Sequence, residues 1–242
     1  MLTLDIWSDI ACPWCWIGKR HIEAALADFA HAHEVQLRWR AFELDPGAPR
    51  LVPPEPPYVE RLARKYGATR DEAQGMIDRM VAVAAEDGLD MRFDRIRPGN
   101  TFDAHRLLHL AWSSGHQDAL KERLFRAYLH EGRAIGERDV LCEMALEVGM
   151  KEGSAEALLE GDAFAQEVRA DEATAHSLGV SGVPFFVAAG RFGVSGAQPA
   201  AVLREVLERA WTEKAGEGAS TDEVGPDAAT EGAACGPAGC DD

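Results

Sequence analysis

The feature that most constrains this chain is Cys12-Pro13-Trp14-Cys15. It stands between an alternating run, Leu2-Thr3-Leu4-Asp5-Ile6-Trp7, and a stretch with apolar residues at Ile17, Ile22, Leu26 and Phe29. Alternation with period two marks a strand, and the second spacing marks one face of a helix. The two thiols therefore fall where a loop opens a helix. They can join as a disulfide with little chain movement, and the positive end of the helix favours a thiolate on the first of them. Cys12 is expected to attack and Cys15 to resolve. The same spacing also serves as half of a zinc site. The flanking strand and helix, with no second Cys-x-x-Cys or His-x-x-x-His pair at finger distance, favour redox chemistry; neither a metal nor a cofactor is expected at this site.

Farther along, Val35 to Phe42 again alternates apolar and polar residues. Strand, helix, strand is the first half of a thioredoxin fold, predicted here over residues 1–57. The proline-rich stretch Pro46 to Pro57 breaks regular structure. Residues 58–161 then read as almost entirely helical, with segments at Val59 to Tyr66, Arg70 to Asp87, Thr101 to Ser114, Gln117 to Glu131, Asp139 to Val148 and Ser154 to Leu159. That predicts an all-helical insertion domain in an α/β thioredoxin fold. The helix Asp162 to Leu178, a strand pair at Pro184 to Ala188 and Arg191 to Ser195, and a closing helix Pro199 to Lys214 complete the second half over residues 162–214. Residues 215–242 change abruptly to Gly, Ala, Ser, Thr, Asp and Glu, and are expected to be a flexible tail.

A net charge of −16 sets nucleic acid and anionic lipid aside as partners. No run of 18 or more apolar residues suggests a membrane span. Asp5 and Asp9 fall where a signal peptide would be hydrophobic, so the expected location is cytoplasmic. Five cysteines, four of them in two close pairs, suggest thiol exchange more than a structural disulfide framework.

Val183-Pro184 directly precedes the apolar strand Phe185-Phe186-Val187. A proline that opens a strand need not donate to the ladder. Placed after a Cys-x-x-Cys and one strand pair before the closing helix, this bond is expected to be cis and to lie against Cys12, offering backbone groups to an extended substrate. Ser8 to Gly18, Asn100-Thr101-Phe102-Asp103-Ala104-His105-Arg106-Leu107, Gly182-Val183-Pro184-Phe185-Phe186 and Ser195-Gly196-Ala197-Gln198 together resemble the DsbA-like thioredoxin family, in particular its FrnE-type dithiol-disulfide isomerases. The resemblance covers about residues 1–212. It implies a thioredoxin fold with a helical insertion and thiol–disulfide oxidoreductase or isomerase activity on protein substrates. It also implies Cys12 as nucleophile, Cys15 as resolving thiol and Pro184 as cis-proline. No His separates the cysteines, so the strongly oxidising character of periplasmic relatives is not carried over. In a reducing cytosol the pair is expected mostly as dithiol, with glutathione or a thioredoxin-type protein as reductant.

The second cysteine pair, Cys235-Gly236-Pro237-Ala238-Gly239-Cys240, follows about twenty residues after Lys214. As a flexible chain that length spans roughly 25 Å, enough to bring Cys235 and Cys240 to Cys12 and Cys15 for exchange. Trp14 and Val183 are expected to contact substrate, and His105 and Arg106 to line a cleft under the helical cap. His105 and His109 share a helix face, yet no third ligand has matching spacing, so packing is expected of them. Cys142 is expected to be a small buried thiol. Two other classes compete: a glutathione-dependent isomerase or kappa-class-like transferase, and a soft-metal protein using Cys12, Cys15, Cys235 and Cys240. The transferases usually carry a catalytic serine and need no second cysteine, which counts against them here.

Overall fold

The computed structural model describes residues 1–53 and 55–219. Among these residues one sheet forms in the order β2-β1-β3-β4, from β1 (Leu2–Ser8), β2 (Val35–Ala41), β3 (Phe185–Ala188) and β4 (Phe192–Ser195). β1 and β2 are parallel and joined by α1 (Pro13–Ala27), while β3 runs antiparallel to both β1 and β4. Alternation decides which side chains meet which layer. Leu2, Leu4, Ile6 and Phe186 pack against Ile22 and Ala25 of α1 and against Leu203 and Leu207 of α9 (Ala200–Ala219). On the opposite face Trp7 and Val187 meet Ala175 of α8 (Ala165–Ser177).

The chain between β2 and α8 forms α2 (Tyr58–Tyr66), α3 (Arg70–Glu86), α4 (Phe102–Ser113), α5 (Gln117–Arg126), α6 (Arg138–Glu147) and α7 (Ser154–Glu160). Local chemistry explains the sharpest joint. Gly67 ends α2 in the left-handed region at φ 62°, and Thr69 then opens α3 with a capping box closed by Glu72. Gln117 to Glu131 is not the single helix its spacing predicts. After α5 the chain widens into a π turn, Ala127–Glu131, where the Leu129 carbonyl accepts the Arg92 N–H at 2.7 Å. The closing helix also runs on to Ala219 rather than stopping at Lys214. Once α9 is docked, each further turn needs little intrinsic propensity, so a composition change alone did not mark its end. Among the described residues no helix is long and apolar enough to cross a membrane.

The insertion does not keep a core to itself. A single apolar cluster holds Leu107, Leu108, Leu120, Leu124 and Phe125 together with Cys12, Cys15 and Trp16. Strand β2 is tied to the helices through polar groups: the Gln117 amide accepts from the Trp39 N–H at 2.9 Å and donates to the Trp39 carbonyl at 3.0 Å, in place of a further strand. Buried Asp171 does the same from α8. It accepts from the Ala41 N–H and from Arg40 Nη1, both at 3.0 Å, and faces His109 Nε2 at 2.9 Å; its carbonyl accepts the Trp7 indole N–H. Removing that carboxylate would leave several inward-facing donors unpaired, so Asp171→Ala is expected to lower the unfolding free energy by roughly 3 kcal/mol or more, read by urea denaturation.

Candidate active site

β1 delivers Ser8 and Asp9 to a turn in which the Cys12 N–H donates to the Asp9 carbonyl at 3.2 Å. Cys12 is the N-cap of α1, in an extended conformation, and Pro13 takes the first helical position, where no N–H is needed. This puts the Cys12 sulfur at the positive end of α1. Cys15 follows one turn later, its N–H donating to the Cys12 carbonyl at 3.1 Å. Both thiols are free; Cys12 is 4 % exposed and Cys15 wholly enclosed. Burial pushes the Cys15 thiol well above its ordinary value, its hydrogen bond and proximity to Cys12 add to the rise, and Lys121 and the Asp9 N–H oppose it. Cys15 is therefore a protonated thiol at rest.

From the other half of the fold, the Val183–Pro184 bond is cis and the Cys12 sulfur donates to the Val183 carbonyl at 3.4 Å. Two quoted motifs hold this loop in place. The Gly196 N–H donates to the Pro184 carbonyl at 2.8 Å. Gly18 faces the proline ring so closely that a Cβ there would lie 2.9 Å from Pro184 Cγ. Trp14, 40 % exposed, and Val183 line a cavity of about 360 Å³ beside Cys12, whose other walls include Leu44, Tyr58, Leu62 and Met80. Burial pushes the Tyr58 hydroxyl up to about 12, with Tyr66 and Cys12 adding to it, so it stays protonated.

Behind the cysteines lies a buried polar layer. Burial alone would push the Asp9 carboxyl up; contact with His105, the Leu44 N–H at 2.8 Å and the charge of Lys121 outweigh it and hold the group below the usual carboxylate range. His105 is thus brought to the site, with Nε2 3.4 Å from Asp9 Oδ1, but behind it rather than along the cleft. Arg106 does not line the cleft either. Its guanidinium donates to the carbonyls of Leu158, Gly161 and Ala163 and to Asp103, fixing the α7–α8 connection to α4. Asn100 accepts the Phe102 N–H and donates to Glu43, so the motif from Asn100 to Leu107 is chiefly a brace for the start of α4. Cys142 is half-buried rather than enclosed, because α6 lies toward the outside; partial burial and Glu156 push its thiol up to about 11. Cys235 and Cys240 lie outside the described residues.

Lys121 was not singled out from the sequence. A signal was available: it occupies a position on the α5 stripe Gln117, Leu120, Leu124, Phe125 where helical spacing calls for an apolar residue. Among the described residues, no group of three or more His, Cys, Asp or Glu side chains gathers in a way that could hold a metal ion.

A four-stranded sheet with a helix opening on Cys-x-x-Cys against a cis-proline defines a thioredoxin-fold dithiol protein. The family model of the DSBA-like thioredoxin domain matches residues 3–208, and the chain belongs to that family of thiol–disulfide oxidoreductases. A solved structure of a probable DsbA oxidoreductase, SCO1869 from Streptomyces coelicolor, is 40% identical; the match covers 99% of this chain and 98% of that one, with a TM-score of 0.81. The uncharacterized protein YwbO of Bacillus subtilis is 28% identical over 161 residues, 65% of this chain and 71% of its own length. The cytosolic disulfide reductase DsbM from Pseudomonas aeruginosa, 22% identical with a TM-score of 0.54 over 85% of this chain and 98% of its own, shares the fold.

Because the Gly18 contact sets the approach of Pro184 to α1, Gly18→Ala is expected to cost roughly 1–3 kcal/mol of stability through overpacking. Thermal unfolding of the variant beside the wild type measures it.

Proposed function

We propose that this protein is a FrnE-type dithiol oxidoreductase that reduces or isomerises disulfides of protein substrates in the cytoplasm. The observation that carries this reading is the meeting of the Cys12 thiol, at the start of α1, with the Val183 carbonyl before cis-Pro184, with the Cys15 thiol one turn behind. Cys12 as thiolate attacks one sulfur of a substrate disulfide; that S–S bond breaks, the other substrate sulfur leaves as thiolate, and a mixed disulfide forms. Cys15 then attacks Cys12, which releases the reduced substrate and oxidises the enzyme pair, whereas a second substrate thiol in its place gives isomerisation. The cavity beside Cys12 suits extended segments with apolar side chains, since Trp14, Leu62 and Met80 offer adaptable apolar surface and Lys65 lies at the same wall. Glutathione or a thioredoxin-type protein would return the pair to dithiol.

The glutathione-transferase reading ranks below this one because Cys15 supplies a resolving thiol within the same chain. Exchange with Cys235 and Cys240 belongs to the proposal on the strength of the sequence alone.

Insulin reduction with glutathione as electron source tests the reaction. Cys12→Ser is expected to abolish turnover, and Cys15→Ser to accumulate a covalent enzyme–substrate disulfide visible by mass spectrometry; a Cys12→Ser protein that still turns over would refute the assignment. For the tail, Cys235→Ser/Cys240→Ser is expected to slow re-reduction of oxidised Cys12/Cys15. Unchanged kinetics would remove the tail from the cycle.

A further inference from the structure

Building on the proposed exchange at Cys12 and Cys15, we propose that Lys121, carried by α5 of the helical insertion, accepts the proton that Cys15 must lose when it resolves the mixed disulfide. The Lys121 side chain is 0 % exposed, and its nitrogen has no hydrogen-bond partner among the described residues. Such a group is costly to bury. Its nearest ring neighbours are Phe125 and Trp39, at 4.9 and 5.6 Å from their centroids, and the charges acting on it are those of Cys15, Asp9 and Cys12. Burial lowers the amine to about 8 against the pull of those three groups, which leaves a base poised close to neutral pH.

No other neighbour is as well suited. Asp9 is held below the usual carboxylate range by His105, the Leu44 N–H and Lys121 itself, so it is a weak proton acceptor. His105 faces that carboxylate from α4. Lys19 on α1 is paired with Glu23, Asp118 and Glu122, and burial is outweighed there so that it stays charged. From β2, Arg40 is paired with Asp5 and Asp171, and from α8 Asp171 is engaged by Arg40 and the Ala41 N–H and faced by His109 of α4. Burial pushes the Tyr58 and Tyr128 hydroxyls up, so they hold their protons.

The step balances. The Cys15 sulfur bonds to the Cys12 sulfur, the bond from Cys12 to the substrate sulfur breaks, and the substrate leaves as thiolate. The Cys15 proton passes to the neutral Lys121 amine, giving an ammonium. Two electrons move from the enzyme dithiol to the substrate disulfide over the whole cycle half. When the enzyme disulfide is later reduced, the ammonium returns the proton to the departing Cys15 sulfur.

The test uses the full chain, a peptide disulfide as probe, acid quenching and mass spectrometry. Decay of the mixed disulfide is followed in the wild type, and its formation in the Cys15→Ser background. Wild-type decay should accelerate with rising pH, with a midpoint near 8. Lys121→Met should slow decay on the order of 100-fold and lose that midpoint, with formation little changed. Lys121→Arg, which keeps the charge but cannot take up a proton, should be slowed as well. An arginine variant that decays like the wild type overturns the assignment, as does an equal loss in formation and decay. A wild-type profile without a midpoint between about pH 7 and 9 overturns it too, and needs no variant to fold. A Cys15→Ser protein that forms no mixed disulfide would instead sink the underlying reaction, so the two failures are distinguishable.

Discussion

The close approach of the start of α1 to the loop before β3 is the constraint on which the rest depends. Cys12 and Val183 lie 171 positions apart, yet the thiol of one reaches the carbonyl of the other. That approach requires β1 and β3 to be sheet neighbours, in the register that sets Trp7 opposite Phe185. It also requires a residue without a side chain at Gly18, because the Pro184 ring occupies the space a Cβ would fill. Gly196 completes the arrangement by donating to the Pro184 carbonyl from the far side.

The helical insertion is part of the same constraint, not an appendage to it. Its apolar cluster takes in Cys12, Cys15 and Trp16, and the Trp16 and Phe125 rings stack at 6.3 Å. Behind the cysteines it contributes His105 and Lys121 to a polar layer around Asp9. Such a layer is costly to bury, and one member, the Lys121 nitrogen, gains no hydrogen bond from the described residues in return. In the proposed reaction that buried charge lies beside the thiol that loses and regains a proton, which would make the insertion and the thioredoxin half one redox unit.

Much of the fold was legible in the sequence because period-two and helical spacing are local signals. β1, α1 and β2 follow from the alternation of Leu2 to Trp7 and Val35 to Phe42 and the apolar face between them. The exceptions have causes that lie far away in the sequence. The π turn at Ala127–Glu131 depends on Arg92 reaching the Leu129 carbonyl, a partner that no window along α5 contains. Cys12, Cys15, Trp14 and Val183 were recognisable from motif and position; Cys12, Trp14 and Val183 line one cavity, and Cys15 is enclosed one turn behind. Arg106 was read as a cleft residue because its motif lies on a helix of the cap; its partners, the carbonyls of Leu158, Gly161 and Ala163, come from the last turn of α7 and the connection after it, whose path is set by packing.

The sequence by itself determined most of the element types, the two thiols at a helix start and the proline just before β3, since each depends on residues a few positions apart. Only the tertiary structure decided that Asp9 and Lys121 share the enclosed space behind Cys15, and that His105 faces Asp9 while Arg106 braces a loop. The physical reason is burial: a charged side chain reads the same in sequence whether water or protein surrounds it. Its proton affinity is set by the groups that packing brings near it from distant parts of the chain.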